Sequence, residues 1–263
     1  MNESPVVPVP AATILMLRDA PEGMEVFMVE RHRQIDFASG ALVFPGGMVD
    51  PGDAEPALRE LADGAETLDD TMLSIACAAI REAFEECGIL LARTEASDAL
   101  VSAEQLVSLE PYRDRLHDGA LTLAEFLQEQ KLRLACDRLV RFAHWITPER
   151  MPKRYDTHFY IAQAPEDHVG VHDGHESVDS VWITPRAAME AGAAGERTVI
   201  FPTFRNLALL ARYRTTDEAM AATRERRIVS VTPWTEQRAD GNYICIPEEA
   251  GYDISEEKLS RPV

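Results

Sequence analysis

Arg81-Glu82-Ala83-Phe84-Glu85-Glu86-Cys87-Gly88-Ile89 sets three glutamates at i, i+3 and i+4, a spacing that puts Glu82, Glu85 and Glu86 on one side of a helix. Upstream, Asp69 or Asp70 offers an N-cap and Leu73, Ala76, Ile80 and Phe84 recur at helical spacing; downstream, Gly88 suits the left-handed position after the last turn. The stretch therefore reads as one long helix. Like charges at this spacing each cost the helix roughly 0.2–0.5 kcal/mol, and anions near a helix C-terminus also oppose the macrodipole. A cation should compensate. Arg81 supplies one charge, and a divalent ion held by oxygen ligands would do so more fully, with Mg²⁺ or Mn²⁺ matching carboxylates best. The competing reading is a solvated acidic face in a chain that is acidic throughout.

Thr13–Leu17 and Val26–Val29 are short apolar runs separated by Pro21-Glu22-Gly23, as in a hairpin. Ala41–Phe44 then runs into Pro45-Gly46-Gly47, where a tight loop is expected because proline lacks an N–H and glycine tolerates unusual backbone angles. Bare backbone there can approach a metal or a phosphate closely. Thr122-Leu123-Ala124-Glu125 has the order of a capping box and opens a helix to about Lys131, inside a helical insert over 97–135. Strands are expected at Phe142–Thr147, Thr157–Ala162 and Val178–Thr184. Helices should follow Pro185 and Pro202 and span Thr216–Arg226. Residues 1–11 read as an extended arm, 12–226 as the main domain and 227–263 as a C-terminal extension. Residues 54–70, with Pro56, Gly64 and many acids, read as a surface excursion whose shortening should cost little stability.

The 263 residues are 46% hydrophobic and 27% charged, ordinary globular usage. No apolar run approaches the length that spans a bilayer, and Met1-Asn2-Glu3-Ser4 lacks the basic start of a signal peptide, so a cytoplasmic protein is expected. A formal charge of -19 disfavours nucleic acid as a partner. Cys77, Cys87, Cys136 and Cys245 never occur as C-x-x-C and read as buried free thiols. His172, Asp173, His175 and Glu176 crowd into one segment, but a polar loop between strands explains them without a transition metal.

Together the glycine loop and the acidic helix resemble the Nudix box, whose second half is matched by Arg81–Ile89 at every defined position. The first half departs: five residues separate Gly47 from Asp53, which stands where the family has Glu, and 27 rather than seven separate Asp53 from Arg81. Glu55 and Asp50 are alternatives to Asp53. The split box, Val29–Arg33, Gly40–Gly47, Arg141–Pro148 and Arg154–Tyr160 are similar to the NUDT19-like coenzyme A diphosphatase subgroup, so the resemblance covers about residues 12–213.

That resemblance implies an α/β class, an α/β/α sandwich around a mixed sheet, with helical insertions. It also implies metal-dependent hydrolysis of a pyrophosphate in a nucleoside diphosphate derivative, such as coenzyme A or acyl-CoA, by water attacking phosphorus. Glu82, Glu85 and Glu86 become the ligands of Mg²⁺ or Mn²⁺, with the Gly46 carbonyl a further candidate and Arg81 orienting the carboxylates. Glu176 is the candidate base or extra ligand, against an ordinary exposed acid. Arg31, Arg33 and Gly47 are candidates for substrate phosphate, although strand-end arginines are as often solvated. Phe159 and Tyr160 read as core rather than as base-stacking platforms. No membrane partner is implied, and the chain leaves room for a homodimer. The alternatives are a non-catalytic nucleotide-sensing module and a hydrolase acting on ADP-ribose or NADH.

Overall fold

The computed structural model describes residues 6–32, 40–173 and 177–259. β1 (Val9–Ala20) and β2 (Gly23–Arg31) form the expected hairpin, with Leu17 opposite Val26 and Ala20 opposite Gly23. β1 begins at Val9, within the segment expected to be an arm, because Val9 to Leu17 pair in parallel with Tyr155 to Gln163. The two hairpin strands then diverge, and β3 (Leu42–Val43) pairs with β2 while β4 (Gly46–Met48) pairs with the N-terminal part of β1.

The glycine pair is thus not a loop. Pro45 interrupts the pairing and its carbonyl accepts from Ile14 N–H, after which Gly46 and Gly47 resume it opposite Thr13 and Ala12. Gly46 has φ 154°, and a Cβ there would lie 2.3 Å from the Ala12 carbonyl oxygen, so the close approach of the two strands requires glycine.

α1 (Asp70–Cys87) is the expected helix. The Asp69 side chain accepts from Met72 N–H, and Gly88 closes the helix at φ 64° with its N–H on the Phe84 carbonyl. β5 (Ala92–Thr94), α2 (Ala103–Leu109), α3 (Pro111–His117), α4 (Leu123–Gln130) and β6 (Leu132–Leu134) follow, and α4 starts directly after the Thr122 capping box. Next come β7 (Val140–Ile146), β8 (Tyr155–Gln163), β9 (Ser177–Ile183), α5 (Pro185–Ala193), α6 (Phe201–Leu210) and α7 (Thr216–Glu225). The chain ends in β10 (Ser230–Val231) and a small sheet of β11 (Trp234–Arg238), β12 (Gly241–Cys245) and β13 (Glu256–Lys258).

The main sheet runs β10-β7-β8-β1-β2-β3, with β4 added on β1 and β9 on β2. It is mixed, since β1–β8 and β7–β10 are parallel and the other pairs antiparallel. Side chains alternate across it. Ile14 and Met16 pack with Ala76, Ile80 and Phe84 of α1 on one face; Leu15 and Leu17 pack with Leu207, Leu210 and Met220 of α6 and α7 on the other. This is the expected α/β/α sandwich. Among the described residues no helix is long and apolar enough to cross a membrane.

Residues 54–70 differ from the expected surface excursion. Leu58, Ala62 and Ala65 are buried in the α1-side core, Asp63 N–H donates to Leu134 O, and Leu134 N–H donates to Leu61 O. Asp63 also pairs with Arg93 at 2.7 Å and with Arg133. Of the acids that suggested a solvated loop, Asp63 is the partner of buried Arg93 and half-buried Arg133. Shortening this segment should therefore destabilise the domain, and Leu58→Ala alone should cost about 2–5 kcal/mol in chemical denaturation. An unchanged denaturation midpoint would return the segment to the surface.

Candidate active site

The C-terminal half of α1 carries its acids inward rather than to solvent. Arg81, Glu82, Glu85 and Glu86 are all less than 10% exposed. Helix spacing sets the three carboxylates beside the β1–β4 crossing, where Gly46 N–H donates to Glu86 Oε2 at 3.0 Å. A Cβ on Gly47 would sit 2.4 Å from Glu82 Oε1, so the second glycine is the space Glu82 occupies.

Arg81 is the organising cation. Its Nε and Nη2 donate to Asp53 Oδ1 and Oδ2 at 2.9 and 3.0 Å, its Nη1 to Glu82 Oε1 at 2.9 Å, and its Nη2 to the Met48 carbonyl at 2.9 Å; Glu85 Oε2 lies 3.2 Å from Nη1. Asp53 is fully buried and also accepts from Asp50 N–H at 2.8 Å. Its carboxylate is thus engaged on both oxygens in holding Arg81. Asp50 is exposed, 3.8 Å from Arg81, on the cavity wall. A second arginine from the insert, Arg113 of α3, donates to the Glu85 main-chain carbonyl through Nε and Nη2 at 3.2 and 3.0 Å. It supplies cationic charge at the end of α1, where the macrodipole is negative.

The compensation is incomplete. Burial, opposed by Arg81 and reinforced by Glu85, pushes the Glu82 carboxyl up to about 7. Burial, opposed by Arg81 and reinforced by Asp53, also pushes Glu85 up to about 7. Carboxyls that retain protons so far above the ordinary glutamate range lack cationic charge, and oxygen donors of this kind suit a hard divalent cation. By donor chemistry, Glu82, Glu85 and Glu86 are the side chains that could hold such an ion.

The cluster opens into a cavity of about 850 Å³. Its lining includes the polar Arg81, Glu82, Glu85 and His117 with Gly46 and Gly47, and the apolar Trp145, Met151, Phe159, Ile200, Phe201 and Ile244. The residues after 226 help to wall it, since Pro233 and Ile244 line it and Tyr252 OH accepts from Trp145 Nε1 at 2.8 Å. Arg31 lines the cavity as well. Tyr160 lies in the α1-side core, whereas Phe159 is buried and forms part of the cavity wall. His172 is held by Ser180 Oγ, 3.3 Å from its main-chain N and from its Nδ1. Arg33, His175 and Glu176 lie outside the described residues. The four cysteines are buried and free.

Sequence reasoning missed Arg113 and His117, whose approach to α1 depends on how the insert folds back. It also missed the aromatic wall of Trp145 and Phe201, which belong to elements more than 50 residues apart. Asp53 was among the candidate acids, but only the fold pairs it with Arg81.

The NUDT19 Nudix domain family matches residues 62–210. The human acyl-coenzyme A diphosphatase NUDT19 is 25% identical over 73% of this chain and 62% of its own length. A nudix hydrolase of Caenorhabditis elegans is 25% identical over 65% of this chain and 50% of its own length. The chain thus spans between half and two thirds of these two curated relatives. A crystal structure of a Nudix hydrolase from Alicyclobacillus acidocaldarius superposes with a TM-score of 0.65 at 28% identity, over 82% of this chain and 96% of that one. With a match covering more than half of its 263 residues and the acidic helix set against the glycine strand, the chain belongs to the NUDT19 Nudix domain family of Nudix hydrolases.

Proposed function

We propose that this protein is a divalent-metal-dependent pyrophosphohydrolase that cleaves the pyrophosphate linkage of coenzyme A or an acyl-CoA. The observation that carries the reading is the pairing of a buried, under-compensated acid cluster with an apolar wall in one cavity. A substrate that joins a pyrophosphate to a long, weakly polar arm suits a cavity whose lining holds both kinds of residue. The name of the human relative supports the same substrate class.

A bound Mg²⁺ or Mn²⁺ supplies charge neutralisation for the pyrophosphate and acidifies water. Glu82, Glu85 and Glu86 would hold it, with the Gly46 carbonyl as a backbone donor. Arg81 fixes the orientation of Glu82 and Glu85 through its fork, and Asp53 fixes Arg81. The Gly46 N–H does the same for Glu86. Arg31 and Arg33 are assigned to substrate phosphate, where guanidinium geometry fits, and Gly47 to the close approach of backbone. Glu176 is assigned the proton of the attacking water. The main domain is taken as residues 12–226, with 227–263 as an extension that shapes the cavity, and the protein as cytoplasmic.

The test is a panel of coenzyme A, acyl-CoA, ADP-ribose, NADH and dinucleoside polyphosphates with Mg²⁺ or Mn²⁺. Preferred turnover of the coenzyme A compounds supports the reading, preferred turnover of ADP-ribose or NADH would replace the substrate, and binding without turnover would favour a sensing module.

The raised glutamates add a pH prediction. A carboxyl whose folded pKa lies above its unfolded value stabilises the fold below the unfolded pKa, and that contribution is lost as pH rises through the folded one. Metal-free protein should therefore lose thermal stability between about pH 5 and 8, the window set by Glu82 and Glu85. Added Mg²⁺ should restore more stability at the alkaline end than at the acid end. Equal Mg²⁺ shifts at both ends would detach these carboxyls from the metal.

A further inference from the structure

The segments around His144 and His158 take no part in the acid cluster, yet they bring three metal-ligating side chains together. On antiparallel β7 and β8, His144 lies directly opposite His158, and Asp156 lies opposite Ile146, one diagonal step away on the same face. The two imidazoles stack with centroids 4.1 Å apart and planes at 20°. His144 Nε2 contacts Asp156 Oδ1, and His158 Nε2 is 3.8 Å from the same oxygen, too long for a hydrogen bond. One ligand atom from each of the three residues falls within 4.8 Å of the others.

We propose that His144, Asp156 and His158 form a second metal site, separate from the acid cluster and selective for a borderline transition cation of the Zn²⁺ class. Two imidazoles and a carboxylate suit Zn²⁺, Co²⁺ or Ni²⁺ and suit Mg²⁺ poorly, the reverse of an all-carboxylate cluster. The outer partner needed to orient a ligating histidine is present: Ser230 Oγ of β10 lies 2.7 Å from His144 Nδ1, where it can accept the ring proton and leave the lone pair on Nε2. Asp156 is 37% exposed, which gives an ion a path in from solvent and room for a water as fourth ligand.

Arg141 is the opposing element. Its Nη2 is 3.3 Å from His158 Nδ1, a position it must leave when that nitrogen carries the proton and Nε2 binds metal. Arg141 is exposed and can turn outward. Side chains alternate along the strands, so Trp145, Tyr155 and Thr157, which line the cavity, lie on the face opposite His144, Asp156 and His158. A metal here staples the two strands that form the cavity floor, and the site needs no assumption about what the cavity hydrolyses.

The experiment is Zn²⁺ binding to the full chain in excess Mg²⁺, which occupies the acid cluster, read by calorimetry and by ¹⁵N shifts of the imidazoles. Wild type should take up a single tight equivalent with both His144 and His158 shifted. His144→Ala and Asp156→Asn, each checked for folding by circular dichroism, should bind more than about 100-fold more weakly. Arg141→Ala, which removes a competing cation, should bind more tightly than wild type. Wild type that takes up no Zn²⁺ under excess Mg²⁺, shifts that omit both histidines, or uptake unchanged in His144→Ala and Asp156→Asn would overturn the proposal.

Discussion

Glu86→Gln should retain its fold and lose turnover by more than about 100-fold, because it removes a ligand charge without changing side-chain volume. Loss of an outer partner of a metal site already costs about 10–100-fold, so a direct ligand should exceed that range. The hydrogen bond from Gly46 N–H to Glu86 Oε2 can pass to the amide oxygen of glutamine, which is why the strand crossing should survive. Glu82→Gln should behave similarly, whereas His172 variants should be mild. Steady-state rates with Mg²⁺ and circular dichroism on the same samples decide the matter. Near wild-type turnover in Glu86→Gln would take the metal role away from that residue.

Arg81→Met should be the most destabilising single change at the site. The guanidinium is the cation between Asp53, Glu82 and Glu85, and its side chain is only 7% exposed. Removing one member of a buried ion pair typically costs about 3–5 kcal/mol, since it strands the other charge. Here three carboxylates lose their partner together, and each can escape only by protonating. The loss should therefore be greater at alkaline than at acid pH. Urea denaturation at two pH values measures it, and a midpoint that stays at the wild-type value at both would mean that Arg81 does not compensate these acids.

The helix and its acids were legible because the signals are local. Asp69 caps, Gly88 stops, and the apolar positions between them recur at helical spacing. The same locality made the strands at 140–146, 155–163 and 177–183 readable to within a few residues. What escaped depends on register between distant segments. Asp53 and Arg81 meet because a 3₁₀ turn at 51–54 delivers the carboxylate under α1. Gly46 and Gly47 suggested a loop because their composition is that of loops; their pairing with β1 rests on the absence of a Cβ at a crowded crossing, which no local rule detects. Residues 54–70 look polar from their acids, yet Leu58, Ala62 and Ala65 face the core and Asp63 faces two arginines.

The histidines make the same point. Proximity in the chain drew attention to the segment 172–176, where two histidines and two acids are crowded. The convergent set, His144, Asp156 and His158, is brought together by cross-strand pairing of β7 and β8. Sequence distance was the wrong measure for ligands on a sheet, where residues directly opposite one another are nearer than neighbours along a strand on the same face.

The proposed cleavage of a pyrophosphate by attack of water on phosphorus, with a divalent ion at Glu82, Glu85 and Glu86, is decided by hydrolysing coenzyme A in ¹⁸O-labelled water with Mg²⁺ and with excess EDTA. The expected products are 3′,5′-ADP and 4′-phosphopantetheine, with the label on a phosphate oxygen of one product and no turnover in EDTA. Label in a pantetheine or sugar hydroxyl, or turnover that persists unchanged in EDTA, would contradict it.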